Sequence, residues 1–174
     1  MTLLTDELSA RIGETAVYTA PEELGRAAIR YFALAIGDYN PLYVDRRAAE
    51  AAGLRDVMAP PTLVCETNQY MIGPRGDDGY LGHGWGIEIP DTRIVRGGNE
   101  FEFFQPIHPD DVITASWTIA DMTERRTSKG QDMLIVTSRA TYTNQRGDTL
   151  CTNTETIIYT SLAPAAPSTT GGAA

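Results

Sequence analysis

The chain reads as one α+β domain, an antiparallel sheet wrapped around a central apolar helix. Apolar residues recur with a helical period in the first half and with a period of two in the second, and helices followed by a long meander give this class. Size agrees, since 174 residues with 42% hydrophobic content support one core and are too few for two ordinary domains. The domain is expected over residues 1–162. The tail 163–174 holds only Ala, Pro, Ser, Thr and Gly, and should be disordered.

The elements follow in order. Ala16 to Thr19 is a short first strand, and Pro21-Glu22-Glu23 opens a helix with proline and acids at its positive end. Leu24, Ala27, Ala28, Tyr31, Phe32, Ala35 and Ile36 then form one helical face that stops at Gly37. Gly37-Asp38-Tyr39-Asn40-Pro41 is a dense cluster of turn formers and makes a rigid loop. A second short helix has Asp45 as its N-cap, an alanine-rich body and Gly53 as its stop. After Ala59-Pro60-Pro61-Thr62, the nearly uncharged stretch Leu63 to Ile72 is the helix to be buried on most sides.

The segment from Gly73 to Asp91 is glycine-rich and carries Tyr80, His83 and Trp85; a loop of that length in a compact domain is either disordered or functional. Beyond it, Phe101 and Phe103 alternate with Glu100 and Glu102. Ile113, Ala115, Trp117 and Ile119 alternate with polar residues, as do Leu134, Val136, Ala140 and Tyr142. A fourth run covers Asp148 to Thr160. Turn signals separate the runs, so they are antiparallel strands with one face packed and one wetter.

Composition excludes several classes. A net charge of −9 argues against a surface for nucleic acid, which needs clustered basic residues. No apolar run approaches the length of a membrane span, and Met1 to Gly13 carries Asp6 and Glu7 rather than a basic, then apolar, leader. A cytoplasmic protein without membrane contact is expected. Cys65 and Cys151 lack metal-ligand spacing, the two histidines have no matching ligand pattern, and no glycine-rich loop joins a strand to a helix as phosphate cradles do. No metal and no cofactor is expected.

The stretch Tyr31 to Thr62, YFALAIGDYNPLYVDRRAAEAAGLRDVMAPPT, resembles the hydratase signature of the MaoC-like hydratase/dehydratase family. In that family a helix ending in G-D-x-N-P precedes a hydrophobic residue, a histidine, x-D and an alanine-rich helix. The match is closest to the FAS1-like (MaoC N-terminal) dehydratase branch, where A-P-P-T stands in place of A-H-G. The later GNEFEFFQPIHPDDVITA and YTNQRGD resemble the same branch. The resemblance implies a single hot-dog fold and the reversible addition of water to a 2-enoyl thioester, carried by coenzyme A or acyl carrier protein.

That chemistry needs a carboxylate and an imidazole around one water, with a backbone N–H for the enolate oxygen. By motif position, Asp38 matches the family's catalytic aspartate and Asn40 its asparagine. The family's histidine falls on Tyr43, a phenol with an ordinary pKa near 10 that is a poor base at neutral pH. The oxyanion glycine falls on Pro61, which has no N–H; Thr62 is the next donor along.

Candidate catalytic residues are therefore Asp38 and Tyr43, and candidate substrate-binding residues Asn40, Thr62, His83 and Trp85. Trp85, Tyr80 and their glycines form either a lid over an acyl or steroid-like chain or a contact with a partner subunit. His108, in a turn before a strand, reads as structural.

Two of the three catalytic parts are altered. The leading expectation is thus a subunit of an enoyl-CoA hydratase or 3-hydroxyacyl-thioester dehydratase that shapes the acyl pocket. A second hot-dog chain in a heteromer would then supply the catalytic Asp/His pair. The alternatives are an independently active homodimeric hydratase using Asp38 with Tyr43 or His83, and a non-catalytic acyl-thioester binding module. Thioesterase activity is the weakest reading, because G-D-x-N-P belongs to hydratases.

Overall fold

The computed structural model describes residues 2–64 and 83–162. Cys65, Tyr80, most of the apolar stretch Leu63 to Ile72, the first part of the 73–91 loop and the 163–174 tail lie outside the described residues.

Among the described residues, five antiparallel strands form one sheet, β1 (Thr15–Thr19), β2 (Thr92–Phe103), β3 (Thr114–Arg126), β4 (Asp132–Thr143) and β5 (Thr149–Ser161), in the order β1-β3-β4-β5-β2. The four long strands include the runs read from the period of two, and β2 extends its run from Glu100–Phe103 back to Thr92. β3, β4 and β5 follow one another as hairpins, and β2 closes the far side by pairing with β5. On β4 the buried residues Leu134, Val136, Ser138, Ala140 and Tyr142 alternate with half-buried ones, so one face carries the core.

Among the described residues, the α-helices α1 (Asp6–Ala10), α2 (Arg26–Ala35) and α3 (Arg46–Ala51) precede the meander. α1 was not foreseen, although its signal is present: the Thr5 hydroxyl accepts from the Leu8 N–H at 3.2 Å, and Asp6 and Glu7 occupy the first turn. α3 starts as expected, with the Asp45 carboxylate accepting from the N–H groups of Arg47 at 2.9 Å and Ala48 at 3.3 Å.

α2 corrects the reading of its segment twice. Pro21-Glu22-Glu23 does not open the helix. The Leu24 and Gly25 N–H groups donate to the carbonyls of Asp111 (3.0 Å) and Pro109 (2.7 Å), and Gly25 has φ +77°, so the chain is held against the β2–β3 connection until Arg26. The helix then buries Ile29 and Ala33, with Leu24 and Phe32 half-buried, while Ala27, Ala28, Tyr31, Ala35 and Ile36 of the expected face are exposed. Apolar residues cover both sides of this short helix, and spacing alone does not tell which side meets the sheet.

Leu63 and Val64, at the start of the expected central helix, are fully buried in the same core as Ile29, Tyr43, Ile107, Ile113, Trp117 and Tyr142. A second cluster around Ile119, Met122, Leu134, Val136 and Tyr159 receives Leu3 from the N-terminal segment. Among the described residues no helix is long and apolar enough to cross a membrane.

Candidate functional site

The motif loop is built from successive side-chain caps. Gly37, at φ +71°, turns the chain out of α2, and the Asp38 N–H returns to the Ala33 carbonyl at 2.9 Å. The Asp38 carboxylate accepts from the Asn40 N–H at 3.1 Å, and the Asn40 side chain accepts from the Leu42 N–H at 3.1 Å. A 3₁₀ turn, Pro41–Tyr43, leads into the Asp45 cap of α3. Asp38 and Asn40 are half-buried, and each holds the turn in shape while keeping further lone pairs.

Tyr43 is buried, and burial pushes its phenol pKa up; the nearby Asp38 carboxylate pushes the same way, opposed by a hydrogen bond with Asn40. Asp38, Asn40 and Tyr43 are thus brought together, as the motif predicts. The phenol, however, holds its proton more firmly than a free tyrosine, so Tyr43 is no base at neutral pH.

The A-P-P-T segment lies beside the loop. The Met58 N–H donates to the Leu42 carbonyl at 3.0 Å, and the Ala59 N–H to the Ile107 carbonyl at 2.8 Å. Pro60 is buried, whereas Pro61 and Thr62 are exposed. Leu54, Met58, Pro61, Phe103, Phe104 and Ile107 line an apolar groove of ≈ 360 Å³ next to this segment.

His83 and Trp85 belong to a different cluster, on the inner face over β1, β3 and β4. Tyr18 Oη and His83 Nδ1 are 2.8 Å apart, the imidazole stacks on Trp117 with ring centroids at 4.9 Å, and Trp85 meets it edge-on at 4.4 Å. Trp85 donates its indole N–H to the Ser138 hydroxyl at 2.8 Å, and its carbonyl accepts from Arg11 at 2.7 Å. Burial lowers the His83 pKa to about 4, against the charge of Glu14, so the ring is neutral at physiological pH.

No described hydrogen bond or ring contact joins His83 to Asp38. Three buried polar atoms here, His83 Nε2, Trp117 Nε1 and Asn153 Oδ1, have no hydrogen-bond partner among the described residues. Tyr18, Trp117 and Ser138 escaped the sequence reading because alternation marks them only as inward-facing.

His108 is structural, as expected. Its Nδ1 lies 3.0 Å from the Val57 carbonyl, and its N–H donates to Asp111 at 2.7 Å. The wholly buried Asp111 carboxylate also accepts from Arg146 at 2.6 Å and Asn144 at 3.3 Å. Among the described residues no group of three or more His, Cys, Asp or Glu side chains is arranged to hold a metal ion.

Residues 10–153 match the FAS1-like dehydratase domain region. The chain belongs to the FAS1-like dehydratase family. A UPF0336 protein of Streptomyces coelicolor is 37% identical over 123 residues, covering 71% of this chain and 76% of that protein. A probable enoyl-CoA hydratase alpha subunit of Thermomonospora curvata is 30% identical over 131 residues, 71% of this chain and 41% of that protein.

Among solved structures, the ChsH1-ChsH2 complex of Mycobacterium tuberculosis superposes with a TM-score of 0.67 at 17% identity, covering 88% of each chain. A MaoC-like dehydratase of Rhodospirillum rubrum gives 0.62 at 21% identity, over 88% of this chain and 94% of that one. These structures show the fold, which is that of the MaoC-like hot-dog dehydratases.

Proposed function

We propose that this FAS1-like dehydratase chain is the pocket-shaping subunit of an enoyl-thioester hydratase or 3-hydroxyacyl-thioester dehydratase, and that a partner hot-dog chain supplies most of the catalytic Asp/His pair. The observation that carries the reading is Tyr43: a buried phenol with a raised pKa stands where the family places its imidazole. Such a group can donate a hydrogen bond but does not take a proton from water at neutral pH. Pro61, at the oxyanion position, has no N–H, which removes a second catalytic part.

The partner half has separate support. A relative bears the name of a hydratase alpha subunit, and a chain of the same fold was solved within a two-protein complex. In this reading Asp38 and Asn40 set the shape of the thioester-facing loop, Thr62 is the remaining donor beside Pro61, and the groove at Met58 and Phe104 receives apolar substrate. His83 and Trp85, apart from that groove on the inner face, contact the acyl chain farther along. Coenzyme A or acyl carrier protein carries the acyl group, and the chain itself uses no cofactor. The working compartment is the cytoplasm.

The test is hydration of short and long 2-enoyl-CoA, followed by loss of enoyl absorbance, with the chain alone and with the hot-dog protein encoded beside it. Turnover confined to the mixture is the expected result. Robust turnover by the chain alone would overturn the reading and make Asp38, Tyr43 and His83 the catalytic candidates.

A further inference from the structure

The inward side chains of the sheet fall into rows, because residues opposite each other on neighbouring antiparallel strands share a face. Trp117, Ala140, Asn153 and Phe101 form one row across β3, β4, β5 and β2. Ile119, Ser138, Glu155 and Asn99 form the next, and Met122, Val136, Ile157 and Arg96 the one after. The flanking rows, through Tyr142, Cys151 and Phe103 on one side and Leu134, Tyr159 and Ile94 on the other, are hydrophobic. Ser138, Asn153, Glu155, Asn99 and Arg96 therefore make one polar patch in the middle of a core-facing surface. Burying polar groups costs free energy unless each finds a partner.

The patch is deep at β4 and β5 and open at β2. Ser138 and Asn153 are 1% and 3% exposed, and the Glu155 side chain 13%, whereas Asn99 and Arg96 are exposed. Its own bonds leave acceptors over. The Ser138 hydroxyl takes the Trp85 indole N–H, the Asn153 amide donates to Asn99 Oδ1 at 2.9 Å, and Arg96 pairs with Glu155 Oε1 at 3.2 Å. Asn153 Oδ1 is buried without a hydrogen-bond partner among the described residues. Burial pushes the Glu155 carboxyl pKa up against the pull of Arg96, so this group too lacks the solvation it would have in water. A site with acceptors to spare fits a ligand group that brings a donor.

We propose that this patch binds a hydroxyl group carried on the acyl chain of the thioester, away from the reacting bond. The inference rests on the proposed function and names the class of acyl chain. In that reading the chain passes Trp85, whose indole bonds Ser138, and Ser138 is the row neighbour of Glu155. The chemistry of the patch selects an alcohol. A hydroxyl donates to Asn153 Oδ1 or to Glu155 and accepts from Arg96. A ketone or ether has no proton to give, an ammonium group meets Arg96, and a carboxylate meets Glu155.

The experiment is isothermal titration calorimetry on the full chain, alone and mixed with the hot-dog protein encoded beside it. The probes are octanoyl-, dodecanoyl- and hexadecanoyl-CoA, their isomers hydroxylated at successive distal carbons, and the matching oxo compounds. These thioesters are saturated and cannot be hydrated, so the readout is binding alone. At least one hydroxylated isomer should bind about tenfold more tightly than the plain chain of equal length. That ratio should fall below about twofold in Asn153→Leu and shrink in Glu155→Gln, which is nearly isosteric and keeps the fold if the larger change does not.

Equal affinity for plain and hydroxylated chains would overturn the inference and leave the proposed function standing. Absence of binding by every thioester, to the chain and to the mixture, would overturn both. Tighter binding of an oxo compound would overturn the choice of a hydroxyl. A patch that only holds the fold together would lower the urea midpoint of Asn153→Leu and leave the ratio unchanged in both variants, and that result would overturn the site.

Discussion

Tyr43 is held where its phenol keeps its proton, since burial and the Asp38 carboxylate both raise its pKa. A residue in that state can orient a water or a thioester oxygen but contributes little base catalysis. Asp38→Asn keeps an oxygen that can accept the Asn40 N–H. In the active mixture we therefore expect it to lower kcat by less than about tenfold, against the hundredfold or more typical of losing a true acid–base group. Steady-state kinetics on the mixture decide the matter.

His83 gives a residue-scale prediction about pH. Its pKa falls from the ordinary 6.5 to about 4 on folding, so the unfolded chain binds the proton more readily between those values. Stability due to the neutral ring is fully present above about pH 6.5 and is lost as pH falls toward about 4. The urea midpoint should drop between pH 7.5 and pH 5 in the wild type, and by visibly less in His83→Gln.

At the scale of elements, the sequence reveals the four long strands and the motif turn because both are local. Alternation along Ile113 to Ile119 or Leu134 to Tyr142 needs no distant partner to be seen, and Gly37 to Pro41 can scarcely be anything but a turn. The orientation of α2 is not local. Ile29 and Ala33 make one stripe and Ala28, Tyr31 and Ala35 another, and the choice between them rests on the bonds of Leu24 and Gly25 to the distant β2–β3 connection.

The same holds for the site. The Asp38-Asn40-Tyr43 trio lies within one loop and was legible, whereas the Tyr18–His83 contact spans 65 positions and left no periodic trace. Asp111 ties together elements in the same non-local way, joining the turn at His108, the turn at Asn144 and Arg146, and the segment before α2. Asp111→Ala leaves the His108 N–H, Asn144 and Arg146 without their shared carboxylate, while the Leu24 N–H keeps its backbone carbonyl, and should cost about 3 kcal/mol in chemical denaturation. Asp45→Ala, which removes only the exposed cap of α3, should cost about 1 kcal/mol.

At the scale of the whole molecule, among the described residues the inward side chains are covered along β3, β4 and β5 and exposed at Ile94 and Phe103 of β2. The acidic surface, with a net charge of −9, gives no general attraction for an anionic thioester carrier. In the proposed assembly arginines near the site do that work, so raising ionic strength should weaken carrier binding, measured as KM for 2-enoyl-CoA at low and physiological salt.

The exposed inward side chains of β2 also bear on how the chain survives in a cell. Ile94 and Phe103 stay in water in the single chain, so in the proposed assembly with a partner hot-dog chain part of the folding free energy is drawn from mass action. The melting temperature should then climb with protein concentration, and at high dilution the chain should be cleaved sooner by a nonspecific protease. Abundance of this protein would be set less by its own synthesis than by how much of its binding mate is present to shelter it.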